Sequence, residues 1–305
     1  MSNNRSTPAN LSAKRDAPQA RPVRQPLNWN WLGVVPFIIF AIAFLILPSL
    51  SLVVGSFQDA QGHFTFQNIV DLFQPNILSA YWITLRISLF TALGGGIFGF
   101  LLAYALVLGN LPHWMRTFIT SFSGVASNFA GVPLAFAFIA TLGRLGLVTA
   151  FLKVVLNLDI YDMGFNLYSF WGLSLTYLYF QFPLMILIIS PALEGLKPEW
   201  HEAAQNLGAH DWQYWRHVAF PVLMPSLLGS MILLFGNAFG AYATALSLTG
   251  GLINLVTILI GSQIKGDVLH NVGLGNALAL GMIVIMAISI FIYALLQRIS
   301  ERWLR

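Results

Sequence analysis

The stretch His201–Pro225, HEAAQNLGAHDWQYWRHVAFPVLMP, decides how this chain is read. It lies between two strongly apolar segments. Its first five residues stand one substitution from the His-Glu-x-x-His helix of a zinc protease, in which two histidines four apart face one way and both bind metal. Here the fifth position is Gln205, a poor zinc ligand, and neither His210 nor His217 restores the spacing on one helical face. No metal site is expected.

The same residues make a good helix–turn–helix. Pro198 suits a first helical position, where its missing N–H has no intrahelical partner. Glu199 and Glu202 favour the positive start of that helix. Trp200, Ala203, Ala204 and Leu207 recur at helical spacing, which predicts one apolar face. Gly208 ends the helix, because glycine enters the left-handed region at little cost. Asp211 is expected to cap a second short helix over Trp212–Val218, stopped by Pro221. A helix lying on lipid head groups would explain Trp200, Trp212 and Trp215. It would not explain the acidic first turn, which anionic lipid repels.

Outward from this stretch the chain is apolar. Of 305 residues 57% are hydrophobic and 9% charged, with a mean hydropathy of +0.74; a soluble domain carries about 25% charged residues. The absence of cysteine excludes disulfides and cysteine-ligated metal. A crossing helix needs about 20 mostly apolar residues. Six stretches qualify: Trp31–Ser56, Tyr81–Leu108, Phe118–Thr141, Leu167–Pro191, Val222–Thr249 and Gly273–Arg298. The run Leu145–Leu158 is shorter and contains Lys153, which predicts a re-entrant or interfacial helix.

The positive residues set the orientation. With the N-terminus inside, Arg5, Lys14, Arg15, Arg21, Arg24, Arg116, Lys197, Arg216, Arg298, Arg302 and Arg305 are cytoplasmic, against Arg144, Lys153 and Lys265 outside. The net charge of +4 is therefore a topology signal and not a nucleic-acid footprint. Arg86, one turn into the second span, either snorkels outward or faces a partner. Loops 58–80, 142–166 and 250–272 fall outside, loops 109–117 and 192–221 inside, and both termini are cytoplasmic.

The pattern Glu202-Ala203-Ala204, Leu207-Gly208-Ala209, then Phe220-Pro221 and Pro225, resembles the EAA loop of binding-protein-dependent ABC importer permeases. The stretch Thr84–Leu106, TLRISLFTALGGGIFGFLLAYAL, is similar to the entry of that family's core. The resemblance implies an all-α membrane protein with six transmembrane helices in the type I ABC importer permease fold. Residues 1–28 would be a disordered basic tail, 29–80 the first span and outer loop, and 81–298 the core, with its coupling loop at 192–221. Residues 299–305 would be a short tail.

It further implies that Glu202, Ala203, Ala204, Leu207, Gly208, Ala209 and Pro221 form the loop that engages a cytoplasmic ATPase. Two ATPase subunits, a second permease subunit and a soluble solute-binding protein would be the partners, in a bacterial inner membrane. ATP would be bound by the partner subunit, and this chain would need no cofactor and be no enzyme. It carries no GxxxxGK[ST] loop. The outer loops resemble the spermidine/putrescine branch.

Further features bear on transport. Gly94, Gly95, Gly96 and Gly99 predict close helix packing. Pro133 and Pro183 are expected to kink spans. Asn128, Gln181, Asn237, Tyr242 and Thr244 are candidates for the translocation path, with interhelical hydrogen bonding as the other role open to each. No acidic residue lies deep in a span, which weighs against the alternative, a secondary carrier coupled to an ion gradient. Such a carrier also calls for repeated broken helices, of which the sequence shows no clear sign. Asp267 and His270 lack the third partner a catalytic group would need.

Overall fold

The computed structural model describes residues 33–109, 111–265 and 270–302. The expected tail 1–28, Asp267 and residues 303–305 lie outside them. The chain divides into two compact units, Met1–Pro48 and Ser49–Arg305. In the first, helix α1, Val35–Ala41, passes through a π turn, Ile42–Ile46. Helix α2, Leu47–Gly55, follows in the chain. The run Val35–Gly55 is 21 residues of mean hydropathy 2.8 with none buried. A helix apolar on every side suits lipid.

In the second unit, α3 is Gln67–Asp71 and α4 Pro75–Leu108. Helix α5 is His113–Asn128, α6 Val132–Leu142 and α7 Leu147–Val155. Helix α8 is Phe170–Glu194, α9 Pro198–Asn206 and α10 Asp211–Tyr214. A π turn, Trp215–Ala219, leads into α11, Phe220–Phe239. Helix α12 is Ala243–Thr249, α13 Val256–Lys265 and α14 Val272–Arg302. Six helical runs are long and apolar enough to cross a membrane.

The centre is built on α4, α8 and α11. Ala103, Leu106, Met185, Ile189, Leu193, Leu223 and Leu234 form one buried cluster among them. Helices α4 and α8 run parallel, and glycine lets them touch, as the sequence predicts. A Cβ added at Gly95 would lie 2.5 Å from the Gln181 Cβ; one at Gly99 would lie 2.6 Å from the Met185 Cβ and 2.9 Å from the Phe182 carbonyl oxygen. A second cluster joins Leu134 of α6, Leu173 and Tyr177 of α8, and Ala245 and Leu248 of α12. A third joins Ile77, Ala80 and Tyr81 of α4 to Val256 of α13 and Leu278 of α14.

Two expected spans are not continuous. Phe118–Thr141 divides into α5 and α6 around Phe129–Gly131, where Gly131 has φ 74°. Pro133 therefore kinks nothing. It stands in the first turn of α6, where no N–H is needed. By composition the third apolar run is Val132–Val155, which is α6 turning through 143–146 into α7. Val222–Thr249 divides into α11 and α12 around 240–242. Both spans are thus broken where the sequence is read as continuous, and Thr244 and Tyr177 supply hydrogen-bond partners at the breaks that isolated segments lack.

Two loops also differ from expectation. Residues 250–272 contain α13, whose Val256 is fully buried against neighbouring helices. A ten-residue helix is too short to register as a span. Pro221 does not stop the helix after the coupling loop. Residues 211–239 form one helical run, in which the π turn shifts the ladder so that the Phe220 N–H bonds the Trp215 carbonyl. This register change meets the prolines at 221 and 225 without ending the rod. Residues 145–158 contain a helix, α7, with Lys153 held 2.8 Å from Asp159; by composition this helix belongs to the run Val132–Val155 and does not stand alone as the sequence suggests.

Candidate functional site

Two places gather the residues singled out in the sequence. The first is α9 and its exit. Pro198 opens the helix and Glu199 sits in its first turn, as expected. Its end is a Schellman turn: the Gly208 N–H bonds the Gln205 carbonyl at 2.9 Å and the Ala209 N–H the Ala204 carbonyl at 3.0 Å. Gly208 stands at φ 77° with open space around its α-carbon. The predicted single apolar face splits in two. Trp200 and Ala204 pack against the central cluster, whereas Glu202, Ala203 and Leu207 face outward. Leu207 is 88% exposed and Trp212 72%.

Asp211 is not the cap. It is the first helical residue after His210, whose N–H bonds the Gln213 side chain at 2.8 Å. The Asp211 carboxylate instead meets His201 Nε2 at 3.0 Å, and the His201 ring lies edge-on to Tyr214, centroids 4.8 Å apart. His201 thus ties α9 to the following helix. No group of three or more histidine and acidic residues among the described residues could hold a metal ion. Pro221 is half-buried on the rod leading into the bundle. Tyr104 of α4 meets the Trp215 ring at 5.1 Å, so the exit of α9 packs directly on a central helix.

The second place is the pair of helix breaks. Thr244, buried at 3%, accepts the Gly131 N–H at 2.7 Å. The Tyr177 hydroxyl donates to the Ala241 carbonyl at 2.9 Å. A main-chain group of each break is thereby answered by a side chain, the first by Thr244 of α12 and the second by Tyr177 of α8. Asn128, the last residue of α5, and Asn237, one turn before the second break, are exposed. Asn128 bonds back to the Gly124 carbonyl at 2.9 Å. Tyr242 is half-buried, and its hydroxyl occupies the space a side chain at Gly261 would need.

Gln181 is fully buried, its Nε2 donating to the Leu234 carbonyl at 2.8 Å. Gln181 and Thr244 therefore hold helices together, the second role open to each. Asn128 and Asn237 are exposed, and Tyr242 packs half-buried against Gly261 of α13. Sequence reasoning missed Tyr177, which nothing in the sequence sets apart from Ser174, Thr176 and Tyr179 in the same span.

Among known proteins, the family model described as "Binding-protein-dependent transport system inner membrane component" matches residues 95–305. The spermidine/putrescine transport system permease protein PotB of Haemophilus influenzae is 27% identical over 304 residues, covering 90% of this chain and 97% of that protein. The sulfate transport system permease protein CysT of Salmonella typhimurium is 28% identical, covering 75% and 78%. Among solved structures, a bacterial ABC transporter involved in the import of the acidic polysaccharide alginate superposes with a TM-score of 0.71 at 18% identity, covering 88% of this chain and 94% of that one. A chain of the MetNI methionine ABC transporter superposes at 0.52 with 15% identity, covering 74% and 96%.

Proposed function

This chain belongs to the family of binding-protein-dependent transport system inner membrane components, and from that premise we propose how it works as the permease subunit of an ABC importer. Helix α9 is the coupling helix, seated in a cleft of a separate ATPase subunit. The observation that carries this reading is the outward face of Glu202, Ala203 and Leu207 beside an inward face of Trp200 and Ala204. Leu207 adds an apolar contact to that outward face. The small Ala203 and Gly208 admit close approach, and Glu202, which has no ion pair among the described residues, is free to meet a basic residue.

Two ATPase subunits beneath two permease subunits would draw their coupling helices together on binding ATP. Force would pass through the continuous run 211–239 to the helix breaks. Asn128, Asn237 and Tyr242 would line the path between the permease subunits. The α9 end and both termini would be cytoplasmic in a bacterial inner membrane, with a solute-binding protein docking opposite. ATP hydrolysis would belong to the partner, and this chain would need no cofactor. The solute is read as a polyamine, supported by a relative of that kind matching nearly the whole length of both chains.

The chain has no cysteine, so Leu207→Cys creates a unique thiol. A thiol-to-amine cross-linker should join it to the cognate ATPase subunit, whereas Leu145→Cys, at an equally exposed site far from α9, should give no such product. An active complex in which position 207 never cross-links overturns the coupling role. Melting the cognate binding protein with spermidine or with sulfate tests the solute; stabilisation by sulfate alone overturns the polyamine reading.

A further inference from the structure

We propose that Arg86 and the aromatic rings around it form a binding site for the phosphate of an anionic phospholipid, in the leaflet opposite α9. Arg86 projects from α4 on a face that is otherwise apolar: Leu78, Trp82, Leu89, Phe90 and Leu93 are its exposed neighbours along the helix. It is eleven residues from Pro75, hence about 16 Å along the axis from the helix start. The 34-residue helix is about 51 Å long and exceeds the roughly 30 Å hydrocarbon core at both ends. Centred on the bilayer, it puts Arg86 just inside the boundary of that core. From there its aliphatic stem carries the guanidinium back toward the head groups.

No carboxylate pairs with Arg86 among the described residues. Its guanidinium carbon instead lies 5.4 Å from the centre of the Phe170 ring. Phe170 is braced edge-on by Trp171 at 5.2 Å, and Phe90 closes on Trp171 at 5.3 Å. Trp82, one turn before Arg86, is 62% exposed and Trp171 63%. Aromatic rings of this kind settle at the head-group level of a bilayer.

One face of the guanidinium is covered by a ring and its edge is free. Its five N–H groups match a phosphodiester in a bidentate fashion. A single negative headgroup neutralises the site. A zwitterionic one would bring an ammonium group close to the cationic Arg86, which like-charge repulsion disfavours. The acyl chains of the bound lipid would lie along Leu89, Phe90 and Leu93.

Native mass spectrometry of the delipidated full chain tests this, titrating phosphatidylglycerol and phosphatidylcholine of identical acyl chains. Wild type should hold phosphatidylglycerol in preference, and Arg86→Gln should lower that first-site occupancy about tenfold, the loss of one charge-assisted contact. Arg86→Lys should keep part of it, and Trp171→Leu should lower it with the charge intact. The wild-type preference needs no variant to fold. Equal retention of the two lipids by wild type, equal retention of phosphatidylglycerol by Arg86→Gln, or saturation of the site by inorganic phosphate alone overturns the proposal. So does loss of the second permease subunit from the Arg86→Gln complex with lipid retention unchanged, which would assign the residue to a protein interface.

Discussion

The Gly131 N–H donates a 2.7 Å hydrogen bond to the hydroxyl of Thr244, 113 residues away. That bond joins two interruptions in helices that sequence periodicity treats as continuous. It makes the start of α6 and the start of α12 one structural unit in the middle of the apolar region.

Removing the acceptor should loosen this unit. Thr244→Val keeps the shape and deletes the hydroxyl, leaving a part-buried N–H unanswered at a cost of about 1 kcal/mol. Thr244→Ser should recover most of the loss. Thermal unfolding in detergent reads both variants, and equal midpoints for wild type and Thr244→Val would show that the bond contributes nothing.

The glycines of α4 should differ in tolerance according to what faces them. Gly99→Ala drives a methyl toward the Phe182 carbonyl, which is main chain and cannot turn aside, and should cost about 1–3 kcal/mol. Gly94→Ala meets only the tip of the Leu178 side chain at 3.0 Å and should be near neutral. Denaturation midpoints that rank the two variants the other way contradict the packing described for α4 and α8.

At the coupling helix, stability and transport should separate. Leu207→Asp alters a side chain that is 88% exposed, so stability should move by no more than about 0.5 kcal/mol while co-purification of the ATPase and solute uptake are lost. Gly208→Asp has open space but the wrong backbone preference at φ 77° and should also abolish uptake with the protein still inserted. Normal uptake together with undiminished ATPase capture in either variant counts against the proposed coupling role.

Gln205→His completes the zinc-protease spacing and should create no protease. His201 is already engaged by Asp211 and Tyr214. Zinc-dependent hydrolysis of casein by the purified variant would reverse this conclusion.

Helix α9 was legible because its signals are local. Pro198, the paired alanines and Gly208 act within one helix and its turn, so spacing alone placed both ends. Asp211 was misjudged because its carboxylate answers His201, on the neighbouring helix. The path candidates were least legible. Asn128 and Thr244 look alike in sequence, each a polar residue in an apolar run, yet one is exposed and the other bonds a distant amide.

Composition and the 20-residue scale of apolar runs determined by themselves that this chain is a helical membrane protein, because a bilayer offers the backbone no hydrogen-bond partners and leaves the helix as its solution. Local turn chemistry determined where α9 begins and ends. Only the tertiary structure decided that two spans break, that a short apolar helix tucks between α4 and α14, and which polar side chains bind helices together. Those outcomes depend on partners far apart in the chain, and an unpaired main-chain group is tolerable only once the fold has brought its partner alongside.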